Sequence, residues 1–187
     1  FLGIFLSSEI SGTYHAACIA AKSFASGQVF VIDSRSASLS LGLLVSEAVK
    51  MRDAGASASE IAAGMSPLIP KVRFLAAINT LKYLRRGGRI SAASAVVGEE
   101  LGIKPIVSII DGAVQSIGKA RGMTAAIKHM LNMALKHRPE LSHSVVFAHS
   151  CAPELLEKAI ACMRDPLHIK AYLTCHVGAA IGTDPGS

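Results

Sequence analysis

The feature that most constrains this chain is a strand, a polar turn and a helix, stated twice in succession at its start. Phe1 to Leu6 is a short apolar run closed by Ser7-Ser8-Glu9, and Gly12-Thr13 lead into an Ala-rich helical stretch to Phe24. Gln28 to Asp33 repeats the strand signal, and Leu39 to Arg52 carries apolar residues at helical spacing until Gly55 stops it. Strands that alternate with helices in this way run parallel, so a mostly parallel sheet covered on both faces is expected. A further helix is expected from Ala58 to about Leu68, capped by Ser57 or Ser59 and ended by Pro67 and Pro70, and a short strand over Phe74 to Ile78.

The pattern then changes. Thr80 to Leu84 predicts a short helix broken by Gly87-Gly88, and Ser91 to Leu101 a small-residue helix stopped by Gly102. Lys104 to Ile110 and Ala113 to Lys119 are strand-like runs joined by Asp111-Gly112, a strong hairpin signal. A hairpin is antiparallel, so this half is expected to be a mixed α/β unit. Met123 to His137 predicts a helix, Ser144 to Ala148 a strand, Pro153 to Met163 a helix opening on proline, and Ile169 to Thr174 a last strand. The expected organisation is an N-terminal α/β domain over 1–82 and a C-terminal mixed α/β domain over 83–187, whose tail returns to the domain interface.

Composition narrows the function classes. With 187 residues, 51% hydrophobic and 17% charged, the chain can bury a sizeable core and is not globally disordered. No apolar stretch approaches the roughly 18 residues of a membrane span, so a soluble protein is expected. Lys and Arg outnumber Asp and Glu by 19 to 13, but the excess is spread thinly, densest at Arg85, Arg86 and Arg89 and again at Lys136 to Arg138. Without a recognisable reading motif, that balance fits a generally basic surface better than a nucleic-acid interface. Cys18, Cys151, Cys162 and Cys175 form no C-x-x-C, and read as reduced core residues of a cytoplasmic protein, not as a zinc site or a disulfide framework. No signal peptide is read at Phe1, and a chain that opens inside a strand without an initiator Met is expected to have an upstream segment.

Several constellations could carry chemistry. Ser7-Ser8-Glu9-Ile10-Ser11-Gly12-Thr13-Tyr14 is a hydroxyl-rich turn between strand and helix, where an open α/β sheet receives anions; alternatively, Ser11 or Thr13 merely caps the helix. A serine nucleophile would need a base and an orienting acid, and the G-x-S-x-G elbow is absent. Neither G-x-x-x-x-G-K-[ST] nor G-x-G-x-x-G occurs, so the chain carries no recognisable nucleotide loop. Arg85-Arg86-Gly87-Gly88-Arg89 turns sharply and can hold Arg89 against a neighbour or an anion, or it is a helix end followed by solvated charges. The hairpin would bring Lys104 and Lys119 near its open end. His176 follows the last strand in a glycine-containing loop, and with Cys175 alone beside it makes no metal site.

In their order, Ser7-Ser8-x-x-Ser11-Gly12-Thr13-Tyr14, Val31-Ile32-Asp33-Ser34, Tyr83-Leu84-Arg85-Arg86-Gly87-Gly88-Arg89-Ile90-Ser91, Ile103-Lys104-Pro105, Asp111-Gly112 and Lys119-x-Arg121 resemble the DegV family over essentially the whole chain. The resemblance implies a two-domain, DegV-like α/β fold, a mostly parallel sheet domain plus a mixed α/β domain, that binds one long-chain fatty acid between its domains. It also implies that the chain is no enzyme by itself and needs no cofactor. It would present the bound carboxyl group to a separate ATP-binding fatty acid kinase subunit that makes the acyl phosphate.

By the same resemblance Ser7 and Ser8 match the family's carboxylate-binding Ser-Ser motif, and His176 matches the histidine of its His-x-Gly-Pro-Gly motif. Arg89 and Arg121 match arginines that are candidates for the head group or for docking the kinase. The chain departs from the pattern at Ala179-Ala180, where the family has Pro-Gly, and lacks the family's N-terminal segment with its Asp-Ser pair and Thr-containing motif. The many Ala, Ile, Leu and Val residues suit a tunnel in which each buried CH₂ contributes about 0.8 kcal/mol, though they suit any α/β core as well. The alternative functions are a serine hydrolase acting on lipid esters and a basic nucleic-acid-associated protein.

Overall fold

The structure, a computed structural model, describes residues 1–90, 101–137 and 145–178. The chain folds as two compact units, the first formed by Phe1–Phe74 with Ile109–Val114, the second by Leu75–Ser108 with Gln115–Ser187.

In the first unit β1 (Leu2–Phe5) and β2 (Phe30–Asp33) pair in parallel, from Leu2 opposite Phe30 to Phe5 opposite Asp33. The crossover between them is α1 (Thr13–Ala21), as the strand-turn-helix pattern requires. Two helices follow, α2 (Ser38–Asp53) and α3 (Ala58–Met65). The start of α3 is specified locally. Ser57 Oγ accepts from the Glu60 amide at 3.3 Å, while the Glu60 carboxylate accepts from the Ser57 amide at 2.8 Å, a reciprocal capping box. Ser57 Oγ also donates to the Glu60 carboxylate at 2.6 Å, and that bond, ahead of the one from the Ser57 amide, holds Glu60 below its ordinary pKa. The helix ends at Met65, short of the expected Leu68, because Pro67 has no amide to continue the ladder. A short 3-10 turn over Ile69–Lys71 takes its place.

Leu44 and Ala48 on α2, and Ile61 and Met65 on α3, stand four residues apart on each helix and so share a face. They form the core of this unit against Leu2, Ile4 and Ile32 of the strands. Burying such a side chain contributes roughly 1.5–3 kcal/mol. By contrast, α1 buries no residue at all, and Ile19 is 68% exposed.

The second unit contains β3 (Ala76–Ala77), α4 (Lys82–Arg86), α5 (Met123–His137), β6 (Val145–His149), α6 (Pro153–Met163), β7 (Tyr172–His176) and the greater part of β4 (Ile103–Ile110) and β5 (Ala113–Arg121), whose joined ends, Ile109–Val114, belong to the first. β4 lies between β3 and β5, and β3 runs antiparallel to it, with Ala76 opposite Val107 and Ala77 opposite Ile106. That pairing ties β3 to the second unit, which takes up the chain after Phe74. The β4–β5 turn is the two-residue one that Asp111-Gly112 announced. Both residues have positive φ, 51° and 83°, as a primed hairpin turn demands.

Ile106 of β4 packs with Ala126, Ile127 and Met130 of α5 as the core of this unit, with Leu75, Ala77 and Cys162 around it. β6 and β7 form a separate parallel pair, from Val145 opposite Tyr172 to His149 opposite His176. The outer part of the unit is thinly covered, since α6 buries no residue and β7 is exposed throughout. Cys151 and Cys175 lie in that part and are exposed, which corrects the expectation that all four cysteines are core residues; Cys18 and Cys162 are half-buried. Apart from Leu101, the helix expected over Ser91 to Leu101 lies outside the described residues, and so do Ala179-Ala180.

Candidate functional site

Because β1 and β2 run parallel, the chain leaves both at the same end of their sheet, and the two following loops are stitched together there. Ser34 N donates to Phe5 O at 3.1 Å and Ser7 N donates to Ser36 O at 2.9 Å. This is the strand end at which open α/β sheets receive ligands. Ser7, Ser34 and Ser36 are all buried, and the Ser7 and Ser34 hydroxyls are spent on the backbone. Ser34 Oγ donates to Ser36 O and accepts from Ser36 N, each at 3.1 Å.

The two serines singled out from the sequence have different surroundings. Ser7 is fully buried, and its hydroxyl donates to Gly112 O at 2.7 Å while accepting from Glu9 N at 3.3 Å. Ser8 is half-buried and binds the Asp33 carboxylate twice, Oγ to Oδ2 at 2.5 Å and N to Oδ1 at 3.2 Å. Ser11 and Thr13 share a hydroxyl bond of 2.8 Å, and Ser11 Oγ accepts from Thr13 N at 3.3 Å. Neither side chain caps α1, whose N-cap is Gly12.

Asp33 and Arg35 organise this turn, and sequence reasoning gave neither a role. The Asp33 carboxylate also accepts from Arg35 N at 2.9 Å, which helps hold Arg35 at φ 50°, a left-handed conformation costly for a residue with a Cβ. The Arg35 guanidinium donates to Glu9 Oε1 at 3.2 Å and to the carbonyl of Asp111 at the hairpin tip, and stands 4.0 Å from Asp33 Oδ2. One cation therefore faces two carboxylates. The signal that could have found them is an acidic residue ending a strand that lies parallel to the one before a Ser-Ser turn. Nearby, Tyr14 bonds to Cys18, and that bond, ahead of partial withdrawal from water and the electrostatic influence of Cys18 and Asp33, raises its phenol above the ordinary value.

In the second unit His176 ends β7 directly opposite His149, which ends β6. The two rings meet edge to face, 4.9 Å apart at 83°. His176 Nε2 accepts from Cys151 N at 3.4 Å, and His149 Nδ1 accepts from Ala152 N at 3.0 Å. The two candidate arginines are exposed. Arg89 folds back on its own turn, Nη1 donating to Gly87 O at 2.5 Å, and Gly88 takes the positive φ of 71° that lets Arg89 N reach Leu84 O and close α4. Arg121 ends β5. Lys104 Nζ donates to Asn79 Oδ1 at 2.8 Å.

Among the described residues no three His, Cys, Asp or Glu side chains gather as metal ligands, and no helix is long and apolar enough to cross a membrane.

Two compact α/β units define the class. The first has parallel strands ending in a serine-rich turn, and the second has a hairpin and a parallel pair ending in two histidines. The profile described as an uncharacterised protein of the DegV family matches residues 1–187. A DegV domain-containing protein of Caldanaerobacter subterraneus subsp. tengcongensis is 34% identical over 186 residues, covering 99% of this chain and 66% of the relative. A DegV lipid-binding protein of Thermotoga maritima has the same fold, with a TM-score of 0.88 at 26% identity over 99% of this chain and 64% of that one. A DegV family protein of Thermus thermophilus, described by its fatty acid binding, matches with a TM-score of 0.80 at 28% identity over 99% of this chain and 66% of that one. The chain belongs to the DegV family. It spans about two thirds of the length of these relatives, 64% to 66%.

Proposed function

We propose that this chain is the lipid-binding component of a bacterial fatty acid kinase. It binds one long-chain fatty acid, with Ser7 and Ser8 of the first unit and His176 of the second as ligands of the carboxylate. It offers the carboxyl group, in the cytoplasm, to a separate ATP-binding subunit. That subunit transfers the terminal phosphoryl group of ATP to a carboxylate oxygen, giving acyl phosphate and ADP. The reading is supported by the likeness to the lipid-binding Thermotoga protein and the fatty-acid-binding Thermus protein. The observation that carries it on this chain is Ser8, a half-buried hydroxyl at the ligand-receiving end of β1.

Chemically, the Ser8 hydroxyl now donates to Asp33, and a ligand carboxylate must take over as its acceptor; the Arg35 charge beside Asp33 offsets the repulsion between the two anions. Ser7 would have to release Gly112 O in the same way, from a fully buried position, which makes Ser8 the more accessible donor of the two. No cofactor is assigned.

Arg89 and Arg121 are assigned to the rim that meets the kinase subunit or to the head group. An exposed charge in a docking rim governs the association rate and its salt dependence more than ligand affinity. The test measures oleate binding and acyl-phosphate formation separately, with the cognate kinase subunit, for the wild type, Arg89→Ala and Arg121→Ala. Slower phosphorylation with unchanged oleate affinity in at least one variant supports docking. Lost oleate binding moves that arginine to the head group, and unchanged phosphorylation in both removes the docking role. Ester turnover abolished by Ser8→Ala, or salt-dependent DNA binding without oleate uptake, would replace the lipid reading with a hydrolase or a nucleic-acid-associated protein.

A further inference from the structure

The bonding of the two facing histidines goes beyond what the family resemblance assigns. A neutral imidazole carries one proton, and the nitrogen that accepts a backbone bond cannot be the one that bears it. His176 Nε2 accepts from Cys151 N, so the His176 proton resides on Nδ1. His149 Nδ1 accepts from Ala152 N, so its proton resides on Nε2. Neutral imidazole in water favours the Nε2–H form, so His176 is held in the less usual tautomer by its surroundings.

The restraint traces back to His149. The bond from Ala152 N closes the turn 149–152 onto the His149 ring, and that turn contains Cys151, whose φ of 49° is costly for a residue with a Cβ. The Cys151 amide is the donor that meets His176 Nε2. Val177 N donates to His149 O at 2.8 Å and joins the residue after His176 to the same point. Edge-to-face contact between the rings then limits rotation of His176.

We infer that His149 is a positioning residue: by closing the turn that aims Cys151 N–H at His176 Nε2, it keeps Nδ1–H of His176 as the donor offered to an anionic head group. The head-group half of this inference rests on the function proposed above, whereas the tautomer half does not.

Nitrogen-15 NMR of the imidazoles in the full chain, recorded near pH 8 where an ordinary histidine is neutral, reads the tautomer directly. The wild type is expected to carry the His176 proton on Nδ1. His149→Asn, whose amide oxygen can take over as acceptor for Ala152 N, is expected to retain that state, and His149→Phe, which keeps a ring without an acceptor, to lose it. Oleate affinity should fall roughly tenfold in His149→Phe and recover in His149→Asn, with oleyl alcohol binding unchanged in both. A wild-type His176 protonated on Nε2 overturns the inference whether or not either variant folds, as does a His149→Phe protein with the wild-type tautomer. An Nδ1–H tautomer that follows His149 in a chain that binds no oleate upholds the positioning and rejects the fatty-acid reading.

Discussion

The Ser8 hydroxyl gives its only proton to Asp33 Oδ2 across 2.5 Å, while the Ser8 amide donates to the other oxygen of the same carboxylate. One side chain thus fixes both the direction of the Ser-Ser turn and the present use of its most accessible donor. Two substitutions separate these effects. Ser8→Ala should cost about 1–2 kcal/mol of stability by urea unfolding, since it deletes a hydrogen bond to a charged acceptor, and should weaken oleate binding roughly tenfold. Asp33→Asn should cost a similar amount of stability yet tighten oleate binding, because a like charge is removed from the neighbourhood of the ligand carboxylate. Weaker oleate binding in both variants would assign the effect to turn geometry instead of the Ser8 proton.

Gly112 tests the contact beneath Ser7. Its φ is 83°, and a Cβ there would lie 2.6 Å from Ser7 Oγ and 2.9 Å from Arg35 Cζ. Gly27 has nearly the same φ, 81°, with nothing within 4 Å. Gly27→Ala should therefore cost only the left-handed backbone penalty, about 1–2 kcal/mol. Gly112→Ala adds a steric conflict and should cost about 1–3 kcal/mol more. Equal losses in thermal or urea unfolding would mean that Ser7 and Arg35 yield freely at the hairpin tip.

The capping box at α3 predicts a pH dependence with a definite sign. Glu60 is held below its ordinary pKa by the Ser57 side chain and backbone, so its contribution is present above the unfolded-state value, about 4.3, and is lost as pH falls through the lower folded value. Glu60→Gln should flatten the acid limb of the stability curve, while Ser57→Ala should lower stability by about 1 kcal/mol at neutral pH. Urea midpoints between pH 2 and pH 7, set by the ordinary carboxylate range, check both. An unchanged acid slope in Glu60→Gln would remove the assignment.

Each unit has its own core, which Met65 and Ile106 report on separately. Both side chains are fully inaccessible, so Met65→Ala and Ile106→Ala should each cost about 2–5 kcal/mol. Hydrogen exchange should accelerate in α2 and α3 for the first and in β4 and α5 for the second. Uniform acceleration across the chain in both would mean that the units unfold as one.

Local signals in the sequence went furthest where one segment settles its own structure. The parallel β1–β2 pair followed from strand-turn-helix repetition, α6 from Pro153 at its first turn, and the hairpin from Asp111-Gly112. β3 was foreseen as a strand, but not its partner, because two alanines carry no side-chain pattern and the pairing with β4 is backbone alone. Ser7, Ser8 and His176 were named as candidates from their motifs. Their bonding could not be read there, since Ser7 meets a backbone carbonyl 105 residues away and His176 a backbone amide in another loop, and neither acceptor nor donor depends on residue type. Asp33 was visible as the polar end of a strand and as part of the Val31-Ile32-Asp33-Ser34 motif, but its bonding role appears only once the parallel register sets it opposite Phe5, beside Ser8.

Native mass spectrometry of the purified chain, before and after addition of oleate or palmitate, tests the lipid-binding reading most directly. One fatty acid per chain is expected, carried through purification or taken up on addition, and released on denaturation. A chain that stays at its apo mass with both lipids present at saturating concentration would contradict it.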